Sequence, residues 1–239
     1  MANSKYSLSF TTGAALLSET VAIANLVMEL GDWAEVKKVV LAQNTLQART
    51  ESTLKKLYGE ISRRLKSLSD EEIALLAKHD TKVAFCPGTS YKLGKGACSI
   101  GKYPEMIEAG VTVGLGTDGV SASGNVNLMR QMYAVAGMFK DSRMDPTLIG
   151  AKQALRMATI DGAKALMWDD EIGSLEVGKK ADICAVAMND LALQPIYNPV
   201  SQMVYCNNSQ NVSHVWINGR SLMSDRKLQT LNEKEIIAN

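Results

Sequence analysis

Histidine is scarce in this sequence, whose 239 residues include only His79 and His214. Cysteine is nearly as rare, with four residues and no C-x-x-C pair. This spacing argues against a disulfide framework or a cysteine-based zinc site, and it predicts free thiols in a reducing cytoplasm. The scarcity of histidine also limits any metal centre that needs several imidazole ligands.

Long apolar runs and a strong net charge are also missing. No run is long enough to span a bilayer, and the first ten residues lack the basic-then-apolar order of a signal peptide. The formal net charge of +1 gives no general attraction to nucleic acid or to an anionic membrane. We therefore expect a cytoplasmic protein with no membrane partner, long enough to bury a core in one or two domains.

The first third of the chain has the pattern of a helical segment, assigned to residues 1–68. Apolar residues recur at helical spacing from residue 18 to residue 68, and no proline interrupts them. One helix face in this segment is basic, and its residues include Lys55, Lys56, Arg63 and Arg64. That face is either solvated surface or a contact to nucleic-acid phosphates.

Three motifs of this segment carry a resemblance: residues 5–13 (KYSLSFTTG), 30–33 (LGDW) and 46–50 (LQART). They resemble the opening of the small helical A-component of BREX phage-exclusion systems, over about residues 4–76. That family is almost all helical, and DNA contact is suspected for it. The resemblance therefore implies a helical module that associates with DNA.

Residues 69–170 have the pattern of an α/β unit. Ser69 and Glu72 form a capping box, which predicts the start of a helix. Strands are predicted over residues 82–86, ended by Pro87, and over residues 111–115. A Gly/Lys-rich loop over residues 92–100 and a short helix over residues 104–109 separate them, so we expect a parallel pair. Further helices are predicted over residues 127–140 and from Asp145 onward.

The remaining residues, 171–239, predict a small β unit. Strand patterns occur over residues 183–187, 202–205, 214–217 and 220–224. Asn218-Gly219 lies between the last two of these strands, and this dipeptide is a strong signal for a hairpin turn. We expect this unit to pack beside the α/β unit.

Asp118 is the main candidate for a site residue. It follows the apolar strand of residues 111–115, with Gly116 and Gly119 nearby, and so stands where α/β barrels and open α/β sheets place their chemistry. A buried carboxylate needs a partner, which would be a metal ion, a substrate cation or a backbone turn. The turn remains an alternative, because Asp-Gly is a common turn pair.

Four motifs in the same order resemble the C-terminal part of the amidohydrolase superfamily: residues 111–119 (VTVGLGTDG), 154–166 (ALRMATIDGAKAL), 172–183 (IGSLEVGKKADI) and 215–219 (VWING). The branch is that of cytosine, S-adenosylhomocysteine and triazine deaminases and chlorohydrolases, matched from about residue 68 to residue 239. The resemblance implies a (β/α)₈ barrel with a β-sandwich, which binds zinc or iron. In that family, a metal-bound hydroxide hydrolyses C–N or C–Cl bonds of small ring-amine or triazine substrates.

Three positions carry over from this family. Asp118 matches the aspartate that ends the last barrel strand, where it binds the metal and accepts a proton from the attacking water. Phe85 stands where the family has a substrate-polarising histidine, and Ser90 lies in a Thr-Ser pair that replaces the family's Ser-Asn. We therefore assign Phe85 and Ser90 to the substrate site, and we expect the Phe85 ring to fill the substrate space and to pack against Leu115.

The family's metal-binding histidines have no counterpart here. His79 is expected at the surface or at a helix C-cap, and His214 is expected to be structural. Asp118 is then the one recognisable ligand, so the resemblance implies weak metal binding and leaves enzymatic activity open. The chain would be either a fusion or truncated product joined near residues 68–76, or a remnant with a binding role.

Three functions fit these observations. The chain would be an amidohydrolase-type fragment that is inactive alone, or a DNA-associated helical module with a passive C-terminal domain. The third is a half-barrel that is completed in a homo-oligomer or by a complementing chain.

Overall fold

The computed structural model describes residues 68–207 and 209–238. The helices predicted before residue 68 lie outside this part of the chain, and so do Lys55, Lys56, Arg63 and Arg64. Within the two described stretches, no helix combines the length and the apolar character needed to cross a membrane.

The first described helix, α1 (Asp70–Lys78), begins at the predicted capping box. Ser69 Oγ accepts a hydrogen bond from the Glu72 amide at 3.2 Å, and Glu72 Oε2 accepts one from the Ser69 amide at 2.8 Å. Two backbone donors that a helix start leaves without an intrahelical partner are thereby satisfied. The predicted helix start is confirmed.

Two short strands follow, β1 (Lys82–Phe85) and β2 (Thr112–Leu115), and they pair in parallel as predicted. Three short helices connect them: α2 (Pro87–Lys92), α3 (Ala97–Ile100) and α4 (Tyr103–Glu108). The predicted loop over residues 92–100 is therefore wrong in part, since it contains α3. Pro87 ends β1 as expected, but it also opens α2, because its fixed φ suits the first helical position.

The parallel pair separates two environments. Val83, Phe85, Val113 and Leu115 are buried in the hydrophobic core together with residues of α4 and of the long helix that follows β2. Ala84 and Gly114, which alternate with them along the strands, line a cavity on the opposite face, and Leu115 at the end of β2 also lines part of it. On this second face the absence of a side chain at Gly114 lets the backbone of Gly162 approach β2 closely.

Four helices follow β2: α5 (Val120–Ser123), α6 (Leu128–Arg143), α7 (Ala151–Ala158) and α8 (Ile160–Ala165). Asn127 caps α6 by accepting a hydrogen bond from the Arg130 amide at 3.2 Å. The helix predicted from Asp145 is wrong at its start. Asp145 Oδ1 instead accepts hydrogen bonds from the amide and the hydroxyl of Thr147 in a turn, and α7 begins six residues after Asp145.

A second, antiparallel sheet has the order β3 (Ile183–Val186), β4 (Val212–Ile217), β5 (Arg220–Ser224), β6 (Lys227–Leu228). The predicted hairpin is confirmed between β4 and β5, where Asn218 and Gly219 both have positive φ, at 49° and 76°. The short helix α10 (Glu233–Ala238) ends the described chain.

The strand predicted over residues 202–205 is wrong. A short helix, α9 (Pro199–Ser201), continues into a π-helical turn over Gln202–Cys206. Val204 in this turn is fully buried and belongs to the core of the α/β unit. Packing against the neighbouring helices therefore overrides the local strand pattern.

Candidate active site

Asp118 lies just beyond β2 and has a left-handed backbone conformation, with φ at 60°. Aspartate is one of the few residues other than glycine that adopt this conformation readily. Its side chain is half-buried, and its Oδ1 accepts a hydrogen bond from the Gly119 amide at 2.6 Å. The turn that the sequence allowed as an alternative is therefore present, and it fixes one oxygen of the carboxylate.

The second carboxylate oxygen is held by a residue of α2. Thr89 Oγ1 donates a hydrogen bond to Asp118 Oδ2 at 3.1 Å, and the Thr89 side chain is buried. Lys92, at the end of the same helix, donates to the carbonyl of Ser121 at 2.8 Å. The helix after β1 is thus joined to the turn after β2 through Asp118 and to α5 (Val120–Ser123) through Ser121.

A cavity of about 1100 Å³ lies beside Asp118. Its wall is mostly apolar, and residues of the two strands, of α6–α8 and of β3 contribute to it. Its apolar lining includes Leu115, Leu128, Met129, Met132, Leu155 and Met203. Asp182 also lines the cavity, and its Oδ1 accepts a hydrogen bond from the Asn218 amide at 2.7 Å. A large apolar cavity with a carboxylate at the carboxyl end of a strand is the usual form of a small-molecule site in an α/β protein.

The residues that the structure describes do not fit a zinc or iron centre. The described parts of the chain contain no group of three or more His, Cys, Asp or Glu residues that could hold a metal ion. His79 is the C-cap residue of α1, as predicted, and His214 lies in β4, where its ring stacks on Trp216. Since a catalytic zinc site needs about three protein ligands, Asp118 does not form one with these neighbours.

The structure separates Phe85 and Ser90 from the cavity. Phe85 is 1% exposed and stacks on Tyr103 in the core, on the face of β1 that points away from the cavity. The expected neighbour Leu115 is its partner in the strand register, but the ring does not fill the substrate space. Ser90 is buried, and its Oγ accepts a hydrogen bond from the Ala97 amide at 3.3 Å. Both residues therefore stabilise the scaffold at the site.

Thr89 is the site residue that the sequence reasoning missed. The Thr-Ser pair follows a Pro-Gly at the end of a predicted strand, which is a signal for a helix start next to the site. Only the structure shows that the first of the two hydroxyls, not the second, meets Asp118.

The fold and the site define an α/β protein with a carboxylate at the end of a parallel strand facing an apolar cavity. The chain belongs to the amidohydrolase family, whose model matches residues 29–222. This match begins within the segment that we assigned to a BREX-like module, and the proposed junction near residue 68 stays a prediction.

Curated relatives include deaminases from two bacteria. The chain is 44% identical to the 5-methylthioadenosine/S-adenosylhomocysteine deaminase of Teredinibacter turnerae over 171 residues, which cover 72% of this chain and 38% of that protein. It is 35% identical to 5-methylthioadenosine/S-adenosylhomocysteine deaminase 1 of Syntrophus aciditrophicus over 229 residues. These residues cover 88% of this chain and 51% of that protein. The chain thus spans about half or less of the length of these relatives.

Solved structures with the same fold also include zinc-containing enzymes. An adenosine deaminase from Xanthomonas campestris with bound zinc matches with a TM-score of 0.70 at 29% identity, covering 85% of this chain and 46% of that one. Atrazine chlorohydrolase TrzN from Arthrobacter aurescens, complexed with zinc, matches with a TM-score of 0.65 at 26% identity. The match covers 72% of this chain and 38% of that one. The mixed α/β fold predicted from the sequence is therefore that of amidohydrolases.

Proposed function

We propose that this chain is the C-terminal part of a hydrolytic deaminase that removes the exocyclic amino group of an aminopurine-type ring, and that it is inactive alone. The observation that carries this proposal is the position of Asp118, at the carboxyl end of β2 beside the apolar cavity. In this role the apolar wall holds the flat ring, and the carboxylate accepts a proton during attack by water.

Deamination is favoured over dechlorination by the degree of similarity. The two curated relatives named as deaminases are 44% and 35% identical to this chain, whereas the triazine enzyme is 26% identical. We also propose a reducing compartment such as the cytoplasm, because Cys86, Cys98, Cys184 and Cys206 form no disulfide with one another.

The described residues lack the histidine ligands of a metal site, and this favours a different, complementing polypeptide over a homo-oligomer. A second copy of this chain would bring the same two histidines, one at the end of α1 and one in β4. Among the residues described, β1 and β2 pair only with each other, so both retain a free edge on which further strands can add. We therefore propose a different polypeptide as the partner, one that supplies the histidines and the remaining strands.

Complementation tests this proposal. The full chain is co-expressed with the N-terminal part of the Teredinibacter turnerae deaminase that this chain does not match, and the complex is isolated by size-exclusion chromatography. Methylthioadenosine and S-adenosylhomocysteine are then assayed for ammonia release in the presence of zinc. We expect no turnover by the chain alone and turnover by the complex.

An Asp118→Asn complex is the matched control, and we expect it to lose activity while still assembling. A complex that assembles and shows no turnover of either nucleoside would refute the proposed reaction. Turnover by the chain alone would refute the proposed dependence on a partner, and activity of the Asp118→Asn complex would refute the role of the carboxylate.

A further inference from the structure

We propose that Thr89 and Gln131 are positioning residues for Asp118, an inference that rests on the proposed function of that carboxylate. Neither residue was a candidate from the sequence. Thr89 is 2% exposed and Gln131 is 1% exposed. Polar side chains buried to this extent are costly unless they are hydrogen-bonded. Thr89 bonds to Asp118 directly, and Gln131 bonds to the helix that carries Thr89.

Gln131 caps the helix that carries Thr89. The N-cap residue of α2, Cys86, makes no side-chain capping bond. The Gly88 amide, in the first turn of α2, instead donates to Gln131 Oε1 at 2.7 Å, across 43 positions of the sequence. The first-turn amides of a helix lack intrahelical acceptors, so a side chain from α6 here replaces the usual local cap.

Gly88 makes this close approach possible. A Cβ atom built at position 88 would lie 2.8 Å from Gln131 Nε2 and 3.0 Å from Gln131 Oε1. Any larger residue would displace the Gln131 side chain and with it the cap. The absence of a side chain at position 88 therefore allows α6 to fix where α2 begins.

The position of α2 in turn fixes the carboxylate. Thr89 Oγ1 holds Asp118 Oδ2, and the Gly119 amide holds Oδ1, so each carboxylate oxygen has one protein donor. Each oxygen keeps a further lone pair for a substrate or a water molecule. A displacement of a catalytic group by 1 Å can cost about a hundredfold in rate, so holding both oxygens has a direct value for catalysis.

NMR spectroscopy of the full chain tests the hydrogen-bond chain without substrate, metal or partner. Three-bond couplings report the χ1 rotamer of Asp118, and the amide proton shift of Gly119 reports its bond to Oδ1. We expect one rotamer in the wild type, averaged couplings and a weakened Gly119 bond in Thr89→Val, and a return to the wild-type values in Thr89→Ser. Thr81→Val is the matched control, because Thr81 is also buried but lies before β1.

A second pair of variants tests the cap. Gln131→Leu and Gly88→Ala should both shift the Asp118 couplings in the direction of Thr89→Val, since they release the start of α2. If Thr89→Val does not fold, these two variants carry the test. Asp118 couplings that stay at the wild-type values in the folded variants would overturn the proposal.

Kinetic measurements on the complex described under Proposed function test the effect of these residues on catalysis. We expect kcat to fall about ten- to a hundredfold in Thr89→Val with little change in KM, and to recover in Thr89→Ser. An averaged rotamer with unchanged kcat would overturn the positioning role while leaving the proposed function intact. If the wild-type complex itself is inactive, the proposed function fails, and the NMR result still decides whether Thr89 and Gln131 hold Asp118.

Discussion

The ring of Phe85 stacks on the ring of Tyr103, with centroids 3.9 Å apart and planes inclined by 22°. Phe139 completes the cluster, with its centroid 6.0 Å from that of Phe85. The three side chains are buried and join β1, α4 and α6. Phe85 thus links a strand that ends at the site to the helices that support it.

Replacing Phe85 should test this core role directly. Phe85→Ala should lower the free energy of unfolding by about 3–5 kcal/mol, because it leaves a cavity between two aromatic rings. Urea unfolding should show a lower midpoint with an unchanged slope. Tyr133→Ala on α6 is a suitable control, since Tyr133 is 58% exposed and its loss should change stability little. A small effect of Phe85→Ala would contradict the core assignment.

Phe85→His is expected to lower stability without creating activity. The imidazole would lie in the core against Tyr103 rather than in the cavity, and a buried polar ring without a partner is costly. The chain alone should therefore show no ammonia release from methylthioadenosine. Turnover by this variant with added zinc would mean that residue 85 can reach the cavity after all.

Metal content gives a third prediction. The purified chain should contain far less than one zinc per molecule, because the described residues offer no cluster of ligands around Asp118. Elemental analysis after gel filtration measures this, and Asp118→Asn should leave the value unchanged. One zinc per chain, lost in Asp118→Asn, would show that the ligands come from residues outside the described part.

The close packing of α8 on β2 gives a fourth prediction. A Cβ atom at position 114 would lie 2.9 Å from the Cβ atom of Ala165 and 3.1 Å from the Cα atom of Gly162. Gly114→Ala should therefore destabilise the fold by about 1–3 kcal/mol, as measured by urea unfolding. Gly137→Ala is the matched control: apart from the backbone of α6 itself, no atom lies within 4 Å of its Cβ position, and the substitution should stabilise by about 0.5–1 kcal/mol. Equal effects of the two substitutions would contradict the packing.

Glu105 should make stability depend on pH. Burial raises the pKa of its carboxyl group, but hydrogen bonding and charge attraction, chiefly from Arg143, outweigh burial and leave the pKa below the ordinary 4.5. A carboxyl group whose pKa is lower in the folded state stabilises above the unfolded value and loses this effect as pH falls through the folded value. Glu105→Gln should thus lower the free energy of unfolding by about 1 kcal/mol at neutral pH, and by less as pH falls below 4.5.

Urea unfolding across this pH range measures the difference. The exposed Glu108, on the same helix, gives the control variant Glu108→Gln, which removes a carboxylate but leaves the Glu105–Arg143 pair intact. A constant difference between wild type and Glu105→Gln at every pH would argue against the Arg143 pair as its source.

The DNA-associated alternative for the N-terminal segment stays a prediction, because its basic residues lie outside the described part of the chain. If that face contacts phosphates, duplex affinity should fall steeply between about 50 and 200 mM salt, and Arg63→Glu with Arg64→Glu should weaken binding on any sequence alike. Fluorescence anisotropy with a labelled duplex measures both effects. If neither salt nor the two charge reversals changes the affinity, the basic face is better interpreted as solvated surface.

Local signals in the sequence determined several features. The capping box at Ser69, the Asn218-Gly219 turn and the parallel pairing of β1 with β2 were all predicted. So was the position of Asp118 at the end of a strand. The cap and the turn depend on hydrogen bonds between near neighbours, and the two strands depend on short hydrophobic periods. The parallel pairing was predicted from the helical connection between the strands, since a parallel pair needs a crossover.

Tertiary structure decided which of these residues face the cavity. The period of a strand shows that Ala84 and Phe85 point to opposite faces, but not which face the helices cover. Tyr103 and Phe139 make that choice, and both are distant in sequence from Phe85. The cap from Gln131 to Gly88 and the bond from Thr89 to Asp118 likewise join separate segments, so only the packed chain brings them together.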